Sequence, residues 1–115
     1  MKEQTIINRL EKGGFLRKDG MPKAVAYNAT FIFEKMSRGM KFRPFYWRNN
    51  YTKLEGKAKY DNVTRLLLCL RIPYVDGNDA PRGGITGNYV EIKKGARKRL
   101  AEIVNIIRNE EIWKS

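Results

Sequence analysis

Residues 61–93 read DNVTRLLLCLRIPYVDGNDAPRGGITGNYVEIK, and a change of period inside this stretch decides the fold. In the first half Val63, Leu66, Leu67 and Leu70 recur at i, i+3, i+4 and i+7, the stripe of a helix that faces a core. Asp61 offers an N-cap, and Pro73, which disfavours helix in the residue before it, marks the end. In the second half the period falls to two. Tyr74-Val75 opens one arm of a hairpin, Asn78 to Gly87 makes a Gly/Pro/Asp-rich tip, and Tyr89 to Lys93 alternates as the returning strand. A helix running straight into a hairpin predicts an α+β fold.

Working outward, the remaining apolar stripes are helical. Ile6, Ile7 and Leu10 predict a first helix over Glu3–Lys12, stopped by Gly13-Gly14. Phe15-Leu16-Arg17 reads as a brief strand ended by the Asp19-Gly20 turn. Pro22 suits the first position of a second helix that carries Val25, Ala29, Ile32, Phe33 and Met36 on one face and is capped by Gly39. Residues 40–60 are irregular, with Thr52 and Glu55 forming a capping-box pattern for a short turn near 53–59. Gly95 through Ile112 predicts the last helix, with Ala96, Leu100, Ile103, Val104 and Ile107 turned inward. No repeat, linker or low-complexity tract divides residues 1–115, so a single, mostly helical domain is expected. Its element order is similar to that of a winged-helix domain, but the outer face of the third helix (Thr64, Arg65, Leu68, Cys69, Arg71) is thin for base readout.

Composition excludes several chemistries. Histidine is absent, which removes Ser-His-Asp and Cys-His nucleophiles and mixed Cys/His zinc sites. The single cysteine cannot form an internal disulfide and suits a reducing compartment; Cys69, inside the apolar run 66–70, reads as a small buried hydrophobe. Met1-Lys2-Glu3-Gln4 shows no secretory signal, and no apolar run is long enough to span a bilayer, so a cytoplasmic location is expected. Nothing calls for a cofactor.

The charge is the positive signal. Lys and Arg number 24 against 12 acids, a net +12. Residues 41–60 and 81–100 each hold six cations and one acid, and together supply +10 of the total. Two separated basic blocks on one small domain point to a surface that meets phosphate. In the first block, Lys41, Arg43, Arg48, Lys53, Lys57 and Lys59 surround six of the thirteen aromatics, with Tyr46 and Trp47 as candidate stacking platforms. The second block has Arg82 at the hairpin tip, read as a mobile wing, and Lys93, Lys94, Arg97 and Lys98 where the last helix begins. Cations there oppose the helix macrodipole, so a bound anion would offset a local cost.

Asp79 with Glu91-x-Lys93 resembles the active-site pattern of the PD-(D/E)xK nucleases, which implies two carboxylates on Mg²⁺ and a lysine beside the attacking water. Asp76 is an alternative second carboxylate. The expected function is non-catalytic binding of DNA or RNA, with an acidic protein surface as the alternative partner. A membrane partner is not expected, because Glu102, Glu110 and Glu111 interrupt the basic last helix. The apolar end of that helix (Ile106, Ile112, Trp113) raises the expectation of a homodimer.

Overall fold

The apolar stripes form helices in a computed structural model that describes residues 2–46 and 52–114. Helix α1 (Glu3–Lys12) buries Ile6 and Leu10 and is turned by Gly13, as expected. The strand expected at Phe15–Arg17 shrinks to one bridge, Leu16 with Pro22, closed tightly through the Asp19-Gly20 turn. The Lys23 amide donates to the Phe15 carbonyl (2.8 Å), which holds Pro22 and Lys23 extended. Helix α2 (Ala24–Ser37) therefore starts two residues after Pro22, with Lys23 as its N-cap.

The third helix is longer than its stripe suggests. The turn foreseen near 53–59 and the helix foreseen from Asp61 are one element, α3 (Lys53–Cys69). Thr52 caps it by accepting the Glu55 amide (3.0 Å), and Asp61 lies in its interior, paired with Lys57 one turn back (2.6 Å). Gly56 costs helix propensity but has a packing reason. A Cβ there would stand 2.8 Å from the Pro44 carbonyl oxygen and 2.6 Å from the Phe45 ring, so residues 44–45 cross α3 where no side chain intervenes.

Helix α3 closes before Pro73 through a Schellman turn: the Arg71 amide reaches Leu68 and the Ile72 amide reaches Leu67 (2.8 Å). Arg71 occupies the left-handed position (φ 58°) where glycine is usual. Arg9 of α1 donates to the Leu70 carbonyl (3.2 Å), and the Cys69 thiol donates back to the Arg9 carbonyl (3.0 Å). Burial raises the Cys69 thiol above its ordinary range, in keeping with an unreactive group.

Strands β1 (Tyr74–Asn78) and β2 (Asn88–Ile92) form the expected hairpin, with Tyr74 opposite Ile92 and Asn78 opposite Asn88. Val90 and Ile92 enter the core. A single 3-10 turn at Lys94–Ala96 leads into α4 (Arg97–Arg108), and Asn109 separates it from α5 (Glu110–Lys114). The one helix expected over 95–112 is thus broken at both ends. Asn109 has an extended ψ of 97°, and its side chain accepts the Glu111 amide, which restarts the chain as α5. That break folds Trp113 back until it is 8% exposed, its indole N–H donating to the Ile106 carbonyl (3.0 Å). Ile106 and Trp113, on which the dimer expectation draws, are buried within this chain, with Ile112 half-buried beside them.

The most extensive packing between helices is α2 against α4, with Phe33, Met36, Leu100, Ile103 and Ile107 among the residues fully withdrawn from solvent. The molecule is a mostly helical α+β domain with one antiparallel hairpin. Its similarity to winged-helix domains ends at element order. Helix α3 spends Arg65 on the Phe15 ring (5.3 Å) and turns Leu68 outward, 65% exposed.

Candidate nucleic-acid interface

The site grows from the irregular segment after α2. Gly39, at φ +92°, ends the helix in a conformation that costs a side chain energy, and the chain then straightens. Phe42 exchanges two backbone hydrogen bonds with Val90 (2.9 and 2.8 Å), adding a bridge to the free edge of β2. Alternation along an extended chain sends Phe42 against the core and its neighbours Lys41 and Arg43 the other way.

There they meet the hairpin. Arg43 grips Asp79 with both terminal nitrogens (2.9 and 2.6 Å), and Lys41 stands 3.6 Å from the same carboxylate. Lys41 also lies 4.4 Å from the centre of the Tyr89 ring and Arg43 5.8 Å from it. The Arg43 hydrogen bond draws the Asp79 carboxyl down to about 2, helped by both nearby positive charges. A planar fork on two oxygens is also the geometry with which arginine takes a phosphate.

A cleft of about 370 Å³ opens between α2, this segment and α3. Lys35, Lys41, Arg43 and Lys59 line it together with Ile32, Met36, Met40 and Phe42. Four of those eight residues are cations and none is an acid. Behind it, the Arg97 guanidinium lies against Gly39, 3.0 Å from where a Cβ would stand. There it offsets the negative end of the α2 dipole, with its Nε buried and, among the described residues, without a hydrogen-bond partner. Arg97 of the second basic block, 54 residues beyond Arg43, therefore packs on the segment that carries Lys41 and Arg43 of the first.

The other expected residues are less gathered. Trp47 and Arg48 lie outside the described residues. Tyr46 is half-buried, its amide donating to the Arg43 carbonyl (3.4 Å). Lys53 and Lys57 are exposed on the first turns of α3, and Lys57 is engaged with Asp61. Lys93, Lys94 and Lys98 are exposed and, among the described residues, make no ion pair. Helix α4 begins at Arg97 with no side-chain cap and no acid in its first turn, its first amide donating to the Lys94 carbonyl of the preceding 3-10 turn.

Arg82 is exposed at the hairpin tip, and the tip is internally hydrogen-bonded. Asn78 donates to the Gly84 carbonyl (2.9 Å) and to Asn88 (2.7 Å) while accepting the Ala80 amide (2.9 Å). The Asp79 and Gly87 amides close further turns within it.

The nuclease constellation is not assembled. Glu91 pairs with Val75, whereas the Asp79 amide bonds to Gly87, four residues further along the hairpin and roughly 13 Å away by strand rise. Asp79 is held by Arg43 and Lys41, and Asp76 accepts the Tyr60 hydroxyl (3.1 Å). Among the described residues no group of three or more His, Cys, Asp or Glu side chains is placed to hold a metal ion. Nor does any helix among them have the length and apolarity to cross a membrane.

Sequence reasoning missed Lys35, Met40 and Tyr89. Lys35 precedes Met36 on a helix read as core, and its one signal is its place three residues after Ile32. Met40, 55% exposed beyond the glycine cap, is a large apolar residue with no periodic reason to be there. Compared with protein-family models, curated proteins and solved structures, the chain matches none.

Proposed function

We propose that the protein binds nucleic acid without catalysing a reaction on it, holding the phosphate backbone along a basic track centred on residues 39–43. The observation that carries this is the grouping of Lys35, Lys41, Arg43 and Lys59 around one cleft, with Arg97 of the second block packed on Gly39 at the head of the same segment. Lys41 and Arg43 share a single carboxylate, Asp79, so positive charge is left over that counterions or phosphates would neutralise. Exposed Lys93, Lys94 and Lys98 extend the positive surface beside the start of α4, and Arg82 adds a donor on a hydrogen-bonded turn. The free Cys69 thiol fits a reducing, cytoplasmic setting.

Fluorescence anisotropy with labelled single- and double-stranded DNA and RNA over a salt series tests the proposal. Five phosphate contacts by Lys35, Lys41, Arg43, Lys59 and Arg97 would give a log–log slope of about −4.5 on duplex DNA and about −3.5 on a single strand. Failure to bind all four at physiological salt would refute it and favour an acidic protein partner. That second reading has its own support in the exposed Tyr27–Phe31 edge-to-face pair, with Arg108 4.6 Å from the Phe31 ring, a composition typical of protein-binding hot spots.

A further inference from the structure

A surface that only tracks phosphates needs cations; it does not need an apolar hollow between them. Exposed apolar side chains lose free energy in water, so a concave group of them amid positive charge is informative. The cleft beside residues 39–43 has that mixed character. Ile32 and Phe42 line it half-buried and Met36 fully buried, while Met40 stands at 55% exposure. Lys35 is exposed on the same wall, one helical step from Ile32 and Met36, and Lys59 approaches from α3. A volume of about 370 Å³ lies at the lower end of the range for small-molecule sites, about 300–1,000 Å³.

The occupant must bring a flat or compact apolar body with negative charge attached. Thioether sulfur is polarisable and packs favourably on aromatic rings, and methionine adapts its shape to different ones. Cations flanking an aromatic body in an acid-free lining match a nucleotide: a base towards the methionines and its phosphates towards Lys35, Lys41, Arg43 and Lys59. A base inside a duplex is stacked and paired and cannot enter a cleft. A single strand offers its bases at little cost.

We propose that this cleft receives one unstacked base of a single strand, whose flanking phosphates lie on the surrounding lysines and Arg43. The proposal rests on the nucleic-acid function above and specifies which form of nucleic acid is preferred. Duplex binds through the track alone; single strand gains the cleft in addition.

The test uses the full chain and three labelled probes: a thymidine 12-mer, an abasic 12-mer with the same phosphates, and a duplex of 12 base pairs. The expected order is thymidine 12-mer above abasic 12-mer. Met40→Ala, at an exposed position, should lower affinity for the thymidine strand about fivefold, leaving its salt slope and the affinities for the abasic strand and duplex unchanged. Lys35→Gln should instead reduce the salt slope on the thymidine strand by about one contact, or about 0.7. Equal binding of thymidine and abasic strands, or equal losses on all three probes in Met40→Ala, would overturn the base pocket while leaving the phosphate track standing. Displacement of the 12-mer by micromolar thymidine monophosphate would overturn the strand as occupant in favour of a free nucleotide. Absence of salt-dependent binding to every probe would overturn the underlying function as well.

Discussion

Gly56 sits in the first turns of α3 and invites substitution, because alanine in a helix interior is worth about 1 kcal/mol over glycine. The structure predicts the opposite outcome. An alanine Cβ would lie 2.8 Å from the Pro44 carbonyl oxygen and 2.6 Å from the Phe45 ring, against roughly 3.5 Å for an unstrained carbon contact. The ring can swing aside, but the carbonyl belongs to the backbone and can move only with residues 43–45. Overpacking of this kind costs about 1–3 kcal/mol, and the backbone partner places Gly56→Ala in the upper half of that range. Set against the propensity gain, the net is a destabilisation of about 1–2 kcal/mol.

For a domain of this size that is a fall in Tm of at least about 4 °C, measured by circular dichroism. Ala58→Gly, exposed two residues on, is the control and should cost about 1 kcal/mol from propensity alone. The moved backbone carries Arg43, so nucleic-acid affinity should fall in Gly56→Ala and not in Ala58→Gly. A Gly56→Ala protein that melts higher than the parent would refute the crossing of residues 44–45 over α3.

Arg71→Gly should raise stability by about 0.5–1 kcal/mol, since it relieves a left-handed residue at the end of α3 and gives back part of the gain as chain entropy; urea unfolding reads it directly. Burial first, then the hydrogen bond to Asp76, pushes the Tyr60 phenol up to about 12. Its contribution to stability is therefore complete below pH 10 and lost between about pH 10 and 12; ultraviolet titration should show Tyr60 titrating late, with Tyr74 also raised by burial, and Asp76→Asn should move both only partly down. Asp79→Asn should raise affinity for duplex DNA while leaving the salt slope about the same, because Arg43 no longer has to give up an internal carboxylate to take its phosphate. A loss of affinity would instead mean that Asp79 orients Arg43 for its ligand. Because Asp79 is drawn down to about 2, its pairing contributes fully above pH 4 and is lost as pH falls through about 2, so that comparison is safe across neutral pH.

Helices and hairpin were legible because their signal is local. Val63, Leu66, Leu67 and Leu70 fix a period of 3.6, Tyr89 to Lys93 a period of two, and both elements stand where those residues put them. The boundaries depended on distant partners. Pro22 was displaced from its helix by the hydrogen bond from the Lys23 amide to Phe15, and Gly56 suits its place in a helix because residues 44–45 cross it. The basic residues could be counted from the sequence, but their meeting could not. The Phe42–Val90 bridge and the packing of Arg97 on Gly39, neither of them local, tie the segment 39–43 to the second half of the chain. Asp79 and Glu91 show the converse, since a pattern present along the chain did not bring the two carboxylates together.

The crossed hydrogen bonds between α1 and α3 give the molecule a built-in timer. Thiol reagents attack the thiolate, and the Cys69 thiol is protonated, partly covered and occupied with the carbonyl of Arg9. Arg9 in turn holds the last turn of α3, so its departure removes both contacts at once. Alkylation of Cys69 in the native protein will then proceed at the pace at which α1 lifts from its neighbour. If nucleic acid binds along residues 39–43, the labelling rate with and without ligand would report how far ordering at that face is felt at the opposite end of α3.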